Sequence, residues 1–415
     1  MNSMSSTPNQ NLSEQSIVNK FLKSQLLKKM NLLQDGALTL HEHGESRVLG
    51  LDKTSAQFGS LHITNDAFYT KTALGGSVGA AESYMDGDWH SEQLVDVMRL
   101  LIRNRDLLDS IESGTARVTN LAMKAAHLFR KNTKSGSRKN IAAHYDIGNE
   151  LFQLFLDSKL MYSSAVFDKP DLDLEQASER KLQLICEKLQ LSATDHLLEI
   201  GTGWGGMAIY AAKNYSCKVT TTTISKQQYE YVKARVAAEG LQDRITLLLE
   251  DYRDLSGQFD KLVSIEMIEA IGHQFQDVYF KKCAAMLKPG GQALIQAITI
   301  EDHRYQQALH SVDFIKHYIF PGSYIPCVSS MVSSAANAGQ LRLVDLQDIG
   351  DSYAKTIRHW RNRFNQQRSS ILALGYDLHF IRMWDYYFAY CEAGFIEQSI
   401  SNVHLLFNKE SRQFL

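Results

Sequence analysis

Between His196 and Ile300 the chain alternates apolar runs with helical patterns: HLLEIGTG then MAIYAAKN, CKVTTTTI then KQQYEYVKARVAAEG, RITLLLEDY, KLVSIEM, and, after DVYFKKCAAMLK, the run QALIQAITI. Strands joined in parallel need a crossover long enough to hold a helix, so this alternation predicts an α/β fold with a mostly parallel sheet covered on both faces. In such sheets ligands bind beyond the carboxyl ends of the strands.

The run LLEIGTGWGG sits at one of those ends, with glycine at Gly201, Gly203, Gly205 and Gly206. Glycines there permit a tight turn and let a ligand approach the backbone, while the following helix offers free N–H groups. A plain strand-to-helix turn carries the same glycines, so the spacing has to discriminate. G-T-G-W-G-G is not the G-x-G-x-x-G dinucleotide fingerprint, and no Lys-Ser/Thr follows as a phosphate loop requires. Glu199, just before the first glycine, can face a cation such as an amino group or a sulfonium. Together these features favour S-adenosylmethionine over NAD or ATP.

With 415 residues, 44% of them hydrophobic, the chain has more than one average domain's worth of core. Residues 1–16 are polar and expected to be disordered; 17–130 read as a smaller N-terminal α+β domain ending in a helix; 131–140 form a linker; 141–415 hold the α/β domain. The linker KNTKSGSRKN carries Lys131, Lys134, Arg138 and Lys139. It reads either as a solvated connection or as a basic contact with anionic lipid headgroups. Formal net charge is −2, which gives no global attraction to nucleic acid. Five scattered cysteines show no C-x-x-C pair, and no histidine spacing matches a metal site, so no metal is expected. The N-terminus lacks the basic and apolar blocks of a signal peptide, and no apolar run is long enough to span a bilayer. The expectation is a soluble cytoplasmic protein.

Seven stretches in order, HYDIGNELFQLFLDSKLMYSSAVF, KLQLICEKLQL, LLEIGTGWGG, DYRDL, SIEMIEAIG, KHYIFPGSYIP and MWDYYFAYCEAGF, closely resemble the cyclopropane-fatty-acyl-phospholipid synthase family, which includes the mycolic acid cyclopropane synthases. AESYMDGDW resembles the N-terminal, lipid-binding-like domain of the full-length bacterial synthases. The resemblance implies a Rossmann-like class I methyltransferase domain that methylates a cis double bond in a lipid acyl chain. It implies partners in unsaturated phospholipid and the inner membrane surface, reached peripherally, and a homodimer as an assembly.

By the same resemblance Gly201 and Gly203 pass beneath the methionine part of S-adenosylmethionine, and Tyr162 and Ser163 contact its carboxylate. Thr223 and Gln228 match the ribose-binding stretch, and Asp251 and Tyr252 border the adenine. His144 matches a position near the lipid entrance, where a structural histidine is an equal reading. Transfer to an alkene leaves a carbocation, which aromatic faces stabilise and from which a base removes a proton. Tyr318, Tyr353, Tyr386 and Tyr387 are the aromatic candidates taken together.

In the family the base is a bound bicarbonate. Glu269 and Tyr353 match two of its holders, whereas Ser164 and Gln296 stand where the family has cysteine and histidine. Both can still hydrogen-bond, so an anion site is retained in reduced form. The expected product is a cyclopropane fatty acid. The alternatives are a methyl-branched, methylene or further-processed (furan-type) chain and, from another class, a non-catalytic lipid-binding protein.

Overall fold

The computed structural model describes residues 9–52, 57–107 and 148–410. The linker 131–140 and His144 lie outside the described residues. The chain divides into two compact units, one comprising the described residues up to 107 together with 375–393, the other 148–374 and 394–410.

The first unit opens with helix α1 (Asn9–Met30), so part of the stretch expected to be disordered is helical. Strands β1 (Ala37–Glu42), β2 (Glu45–Leu49) and β3 (Gln57–Ile63), helix α2 (Ala67–Asp86), the short β4 (Trp89–His90) and helix α3 (Leu94–Arg103) follow. The four strands form one sheet in the order β2-β1-β3-β4. Leu22, Leu26 and Met30 of α1, one helical turn apart, supply its buried side.

The second unit is built on a seven-stranded sheet in the order β10-β11-β9-β8-β5-β6-β7. Helix α4 (Leu174–Lys188) precedes β5 (His196–Ile200), α5 (Gly206–Tyr215), β6 (Lys218–Thr222), α6 (Lys226–Ala238), β7 (Ile245–Leu248), β8 (Phe259–Ile265), α7 (Gln276–Met286) and β9 (Leu287–Ile300). Helix α8 (Val328–Asn337), β10 (Leu341–Asp348), α9 (Gly350–Gln366) and β11 (Ile400–Lys409) complete it, and helix α10 (Leu378–Ile396) precedes β11. As the alternation predicts, β5 to β9 pair in parallel, and β11 adds antiparallel to β9 and β10. One apolar layer sets Leu182, Ile185, Met207 and Val232 against the sheet, and the other sets Tyr279, Phe280, Cys283 and Met331 against its opposite face.

Strand order reverses between β5 and β8: from β5 the chain moves outward through β6 and β7, then returns to the other side of β5. A crevice at the carboxyl ends is the geometric result. The glycine run leaves β5 at that point, and SIEMIEAIG leaves β8 beside it.

The division of α10 differs from the expected boundary at 141. Its residues up to Ala393 cluster with the first unit. There Tyr84 Oη donates to Asp385 at 2.7 Å, and the Tyr386 ring lies 5.5 Å from Tyr84 and 6.5 Å from Trp89. Aromatic pairing across some 300 residues of sequence decides this, and no local pattern reports it.

Candidate functional site

The loop after β5 is shaped for close approach. Gly201 and Gly203 hold φ +98° and +51°, and a side chain built on Gly203 would meet nothing within 4 Å. Thr202 between them is buried, and its Oγ1 has no hydrogen-bond partner. A bare backbone, an orphaned hydroxyl and the start of α5 together fit the cofactor expected there.

Glu199 is buried on β5, and Thr221 of the adjacent strand donates to its Oε2 at 2.6 Å. Burial pushes its pKa up to about 8, against that hydrogen bond and the nearby Lys181 ammonium. Burial therefore disfavours its charge while Thr221 and Lys181 favour it. Thr223, just beyond β6, and Gln228, in the first turn of α6, are brought together and buried, Thr223 Oγ1 donating to Gln228 Oε1 at 2.8 Å. Asp251 is buried and engaged by Arg253, whose Nε and Nη2 donate to its two oxygens at 2.7 and 2.6 Å. Tyr252 packs edge-on against Tyr279 within one of the two core layers. Its ring is thus packed into the core, and its hydroxyl is buried without a hydrogen-bond partner.

Tyr162, Ser163 and Ser164 lie on an extended segment held at both ends. Before it, Asp157 accepts from the backbone of Met161 and Lys159 at 2.8 and 3.0 Å. After it, Thr356 Oγ1 and Ser352 Oγ of α9 accept from the backbone of Ala165 and Phe167 at 3.1 and 3.0 Å. The Tyr162 ring stands 5.2 Å from Phe152, 5.3 Å from Trp360 and 6.4 Å from Phe320. Tyr353 lies 6.0 Å from Trp360 and stacks on Phe395 at 4.4 Å. This is an aromatic wall, and of the four tyrosines expected together it contains Tyr353. Tyr386 and Tyr387 belong to the core of the other unit, and Tyr318 packs on Phe314 and His317.

The centre of the site is a residue the motif comparison passed over. Glu266, the first residue beyond β8, has φ +48°, a left-handed backbone seldom held by a residue other than glycine. Its Oε1 accepts from Ser164 N at 2.9 Å, Gln296 Nε2 at 2.7 Å and Asn402 Nδ2 at 2.7 Å; its Oε2 accepts from Tyr353 Oη at 2.7 Å. His404, directly across the β9–β11 ladder from Gln296, has its pKa pushed down to about 3 by burial and is neutral. Its Nε2–H donates to Gln296 Oε1 at 3.1 Å, which turns the amide NH2 toward Glu266.

Ser164, Gln296 and Tyr353, the groups expected to hold a bicarbonate, are therefore already bound to a carboxylate of the chain itself. A second anion at these same donors would have to displace Glu266 and would meet its like charge, so these three groups do not fit bicarbonate while they hold Glu266. Glu269, also expected there, is not among the partners of Glu266. Its Oε1 accepts from Ile298 N at 2.6 Å, while its Oε2 is buried without a hydrogen-bond partner. Burial, reinforced by neighbouring Glu266, pushes its pKa up to about 8. Burial also raises Glu266, but four donors and the Lys181 ammonium oppose it. Of two adjacent acids, the one with more donors ionises more readily. The donor count therefore favours charge on Glu266 over Glu269.

All five cysteines are free, and among the described residues no helix is long and apolar enough to cross a membrane.

The family profile described as mycolic acid cyclopropane synthetase matches residues 132–405. The tuberculostearic acid methyltransferase UfaA1 of Mycobacterium tuberculosis is 37% identical over 343 residues, covering 80% of this chain and 78% of that protein. The cyclopropane-fatty-acyl-phospholipid synthase of Escherichia coli K12 is 34% identical over 357 residues, covering 84% and 87%. Among solved structures, mycolic acid cyclopropane synthase CmaA1 complexed with SAH and CTAB aligns with a TM-score of 0.62 at 27% identity, covering 66% of this chain and 98% of that one.

Gly203→Val should abolish binding of S-adenosylmethionine, because a branched side chain at φ +51° is strained and fills the open space over the loop. Calorimetry on the folded variant checks this; wild-type affinity would place the cofactor elsewhere.

Proposed function

Because the chain belongs to the mycolic acid cyclopropane synthetase family and is an S-adenosylmethionine-dependent methyltransferase acting on lipids, we propose that it methylates the cis double bond of unsaturated phospholipid acyl chains and closes a cyclopropane ring, with Glu266 as the base. The observation that carries this reading is the Glu266 carboxylate, held by four donors beside the glycine loop and the aromatic wall.

S-adenosylmethionine supplies an electrophilic methyl group on a sulfonium. Gly201 and Gly203 would lie under it, and Tyr162 and Ser163 would meet its carboxylate; Thr223 with Gln228 would bind the ribose, and Asp251 borders the adenine side. The π electrons of the lipid double bond form the new C–C bond as the C–S bond breaks, which leaves a cation on the acyl chain. The faces of Tyr162, Trp360 and Tyr353 stabilise it, each by about 0.5–2 kcal/mol. A C–H bond of the new methyl then breaks, its electrons close the three-membered ring, and its proton goes to Glu266. Oε1 is fully subscribed by three donors, so the proton is taken at Oε2 beside Tyr353. Glu269 next to it, with one donor, competes less for the charge.

A second reading, a methylene or methyl-branched product, is favoured by the 37% identity to a tuberculostearic acid methyltransferase. The same base serves for the methylene product, after a hydride shift brings the cation to the methyl-bearing carbon; a saturated methyl branch then needs a separate hydride donor to reduce that methylene.

Membrane contact is assigned to α1. Its outer face exposes Ile17 (67%), Val18 (54%) and Phe21 (59%) alongside exposed Lys20 and Lys28. Apolar anchors flanked by lysines suit an anionic bilayer, each lysine contributing about 1 kcal/mol near such a surface.

Two outcomes are expected. Glu266→Gln should keep cofactor affinity and lose about 10²–10⁴-fold in kcat, as for a general base; near-wild-type turnover on unsaturated phospholipid vesicles would remove Glu266 from that role. Ile17→Ser with Phe21→Ser should release the protein from anionic vesicles in sedimentation without changing its thermal melt. Undiminished sedimentation would rule out α1 as the contact.

A further inference from the structure

Lys181 lies on the inward side of α4 among Ala177, Ser178, Leu182 and Ile185, and is wholly buried. An apolar side chain would suit that position. Burying an ammonium costs several kcal/mol, and such a group persists where opposite charges and hydrogen bonds hold it. Lys181 Nζ donates to Ser163 Oγ at 2.7 Å. Three acids lie within electrostatic reach of it: Glu266 from the end of β8, Asp157 from the segment before Tyr162, and Glu199 from β5.

This position joins two halves of the site. Ser163 belongs to the segment expected to meet the cofactor carboxylate, and its neighbour Ser164 donates its backbone N–H to Glu266. We propose that Lys181 is a positioning residue for methyl transfer: it fixes the Tyr162–Ser164 segment through Ser163, and its charge keeps Glu266 ionised to receive the proton. The proposal rests on the reading of Glu266 as the base.

The groups facing Glu266 are Tyr353 from α9, Gln296 from β9 with neutral His404 behind it, Asn402 from β11, Ser164, and Glu269. Lys181 is the cation among the groups that shift it. Burial raises the Glu266 carboxyl and the ammonium lowers it, so removing the ammonium lets the carboxyl ionise only at higher pH. The rising limb of the rate against pH must then move up. A merely structural lysine would lower rate or stability without moving that limb.

The test compares pH–rate profiles on unsaturated phospholipid vesicles for the wild type, Lys181→Met, Lys181→Arg and Glu266→Gln, with thermal melts and cofactor calorimetry. Lys181→Met should shift the rising limb upward by about one to three pH units and regain rate at high pH, whereas Lys181→Arg, which keeps the charge, should leave the limb in place. If Lys181→Met does not fold, Lys181→Gln replaces it, neutral yet able to donate to Ser163, with the same upward shift expected. A neutral variant whose profile coincides with the wild type, or an arginine variant displaced as far as the neutral one, overturns the proposal. Full turnover by Glu266→Gln would overturn the base reading instead, and the two failures are separable because they come from different variants.

Discussion

One carboxylate organises the catalytic unit. The donors that meet on Glu266 come from the segment before α4, from β9, from α9 and from β11, so four separately folded parts of the chain are registered by a single side chain. Hydrogen bonds to an ionised acceptor are about twice as strong as neutral ones. Their convergence also offsets the left-handed backbone that Glu266 must hold at the end of β8. Strain of this kind persists where the surroundings over-determine it, and here the surroundings are the walls of the site.

Charge follows from the same arrangement. Glu199, Glu266, Glu269 and Asp157 crowd a region with one buried ammonium, Lys181. All four acids cannot be ionised together, and burial raises every one of them. Glu269 has one donor and Glu199 has one, so charge is favoured on Glu266, where donors are most numerous. The carboxylate adjoins a loop fit for a sulfonium and an aromatic wall fit for a carbocation, so positive charge passes between groups that can each accommodate it.

Much of the fold was legible because its signals are local. Alternating runs specify parallel strands, and the glycine run marks the carboxyl end of β5. The centre of the site was less so. SIEMIEAIG carries two acids three residues apart, and matching the motif selected Glu269. Glu266 stands nearer the strand end, where the rule for ligand position already pointed. Its partners Tyr353, Asn402 and Gln296 lie 87, 136 and 30 residues away, and contacts of that range leave no trace in local pattern. Aromatic residues are hard to place for a related reason. Tyr386 and Tyr387 have the spacing of a buried helix face, and only packing against Tyr84 and Trp384 shows which core they fill.

The most direct test of an internal base is the reaction of unsaturated phospholipid with trideuteromethyl S-adenosylmethionine in buffer stripped of carbon dioxide, with the product analysed by mass spectrometry and proton resonance. The account predicts full turnover without added bicarbonate, two deuteriums retained in each product and the upfield signals of ring protons. A strict requirement for bicarbonate, or three deuteriums retained, would contradict it.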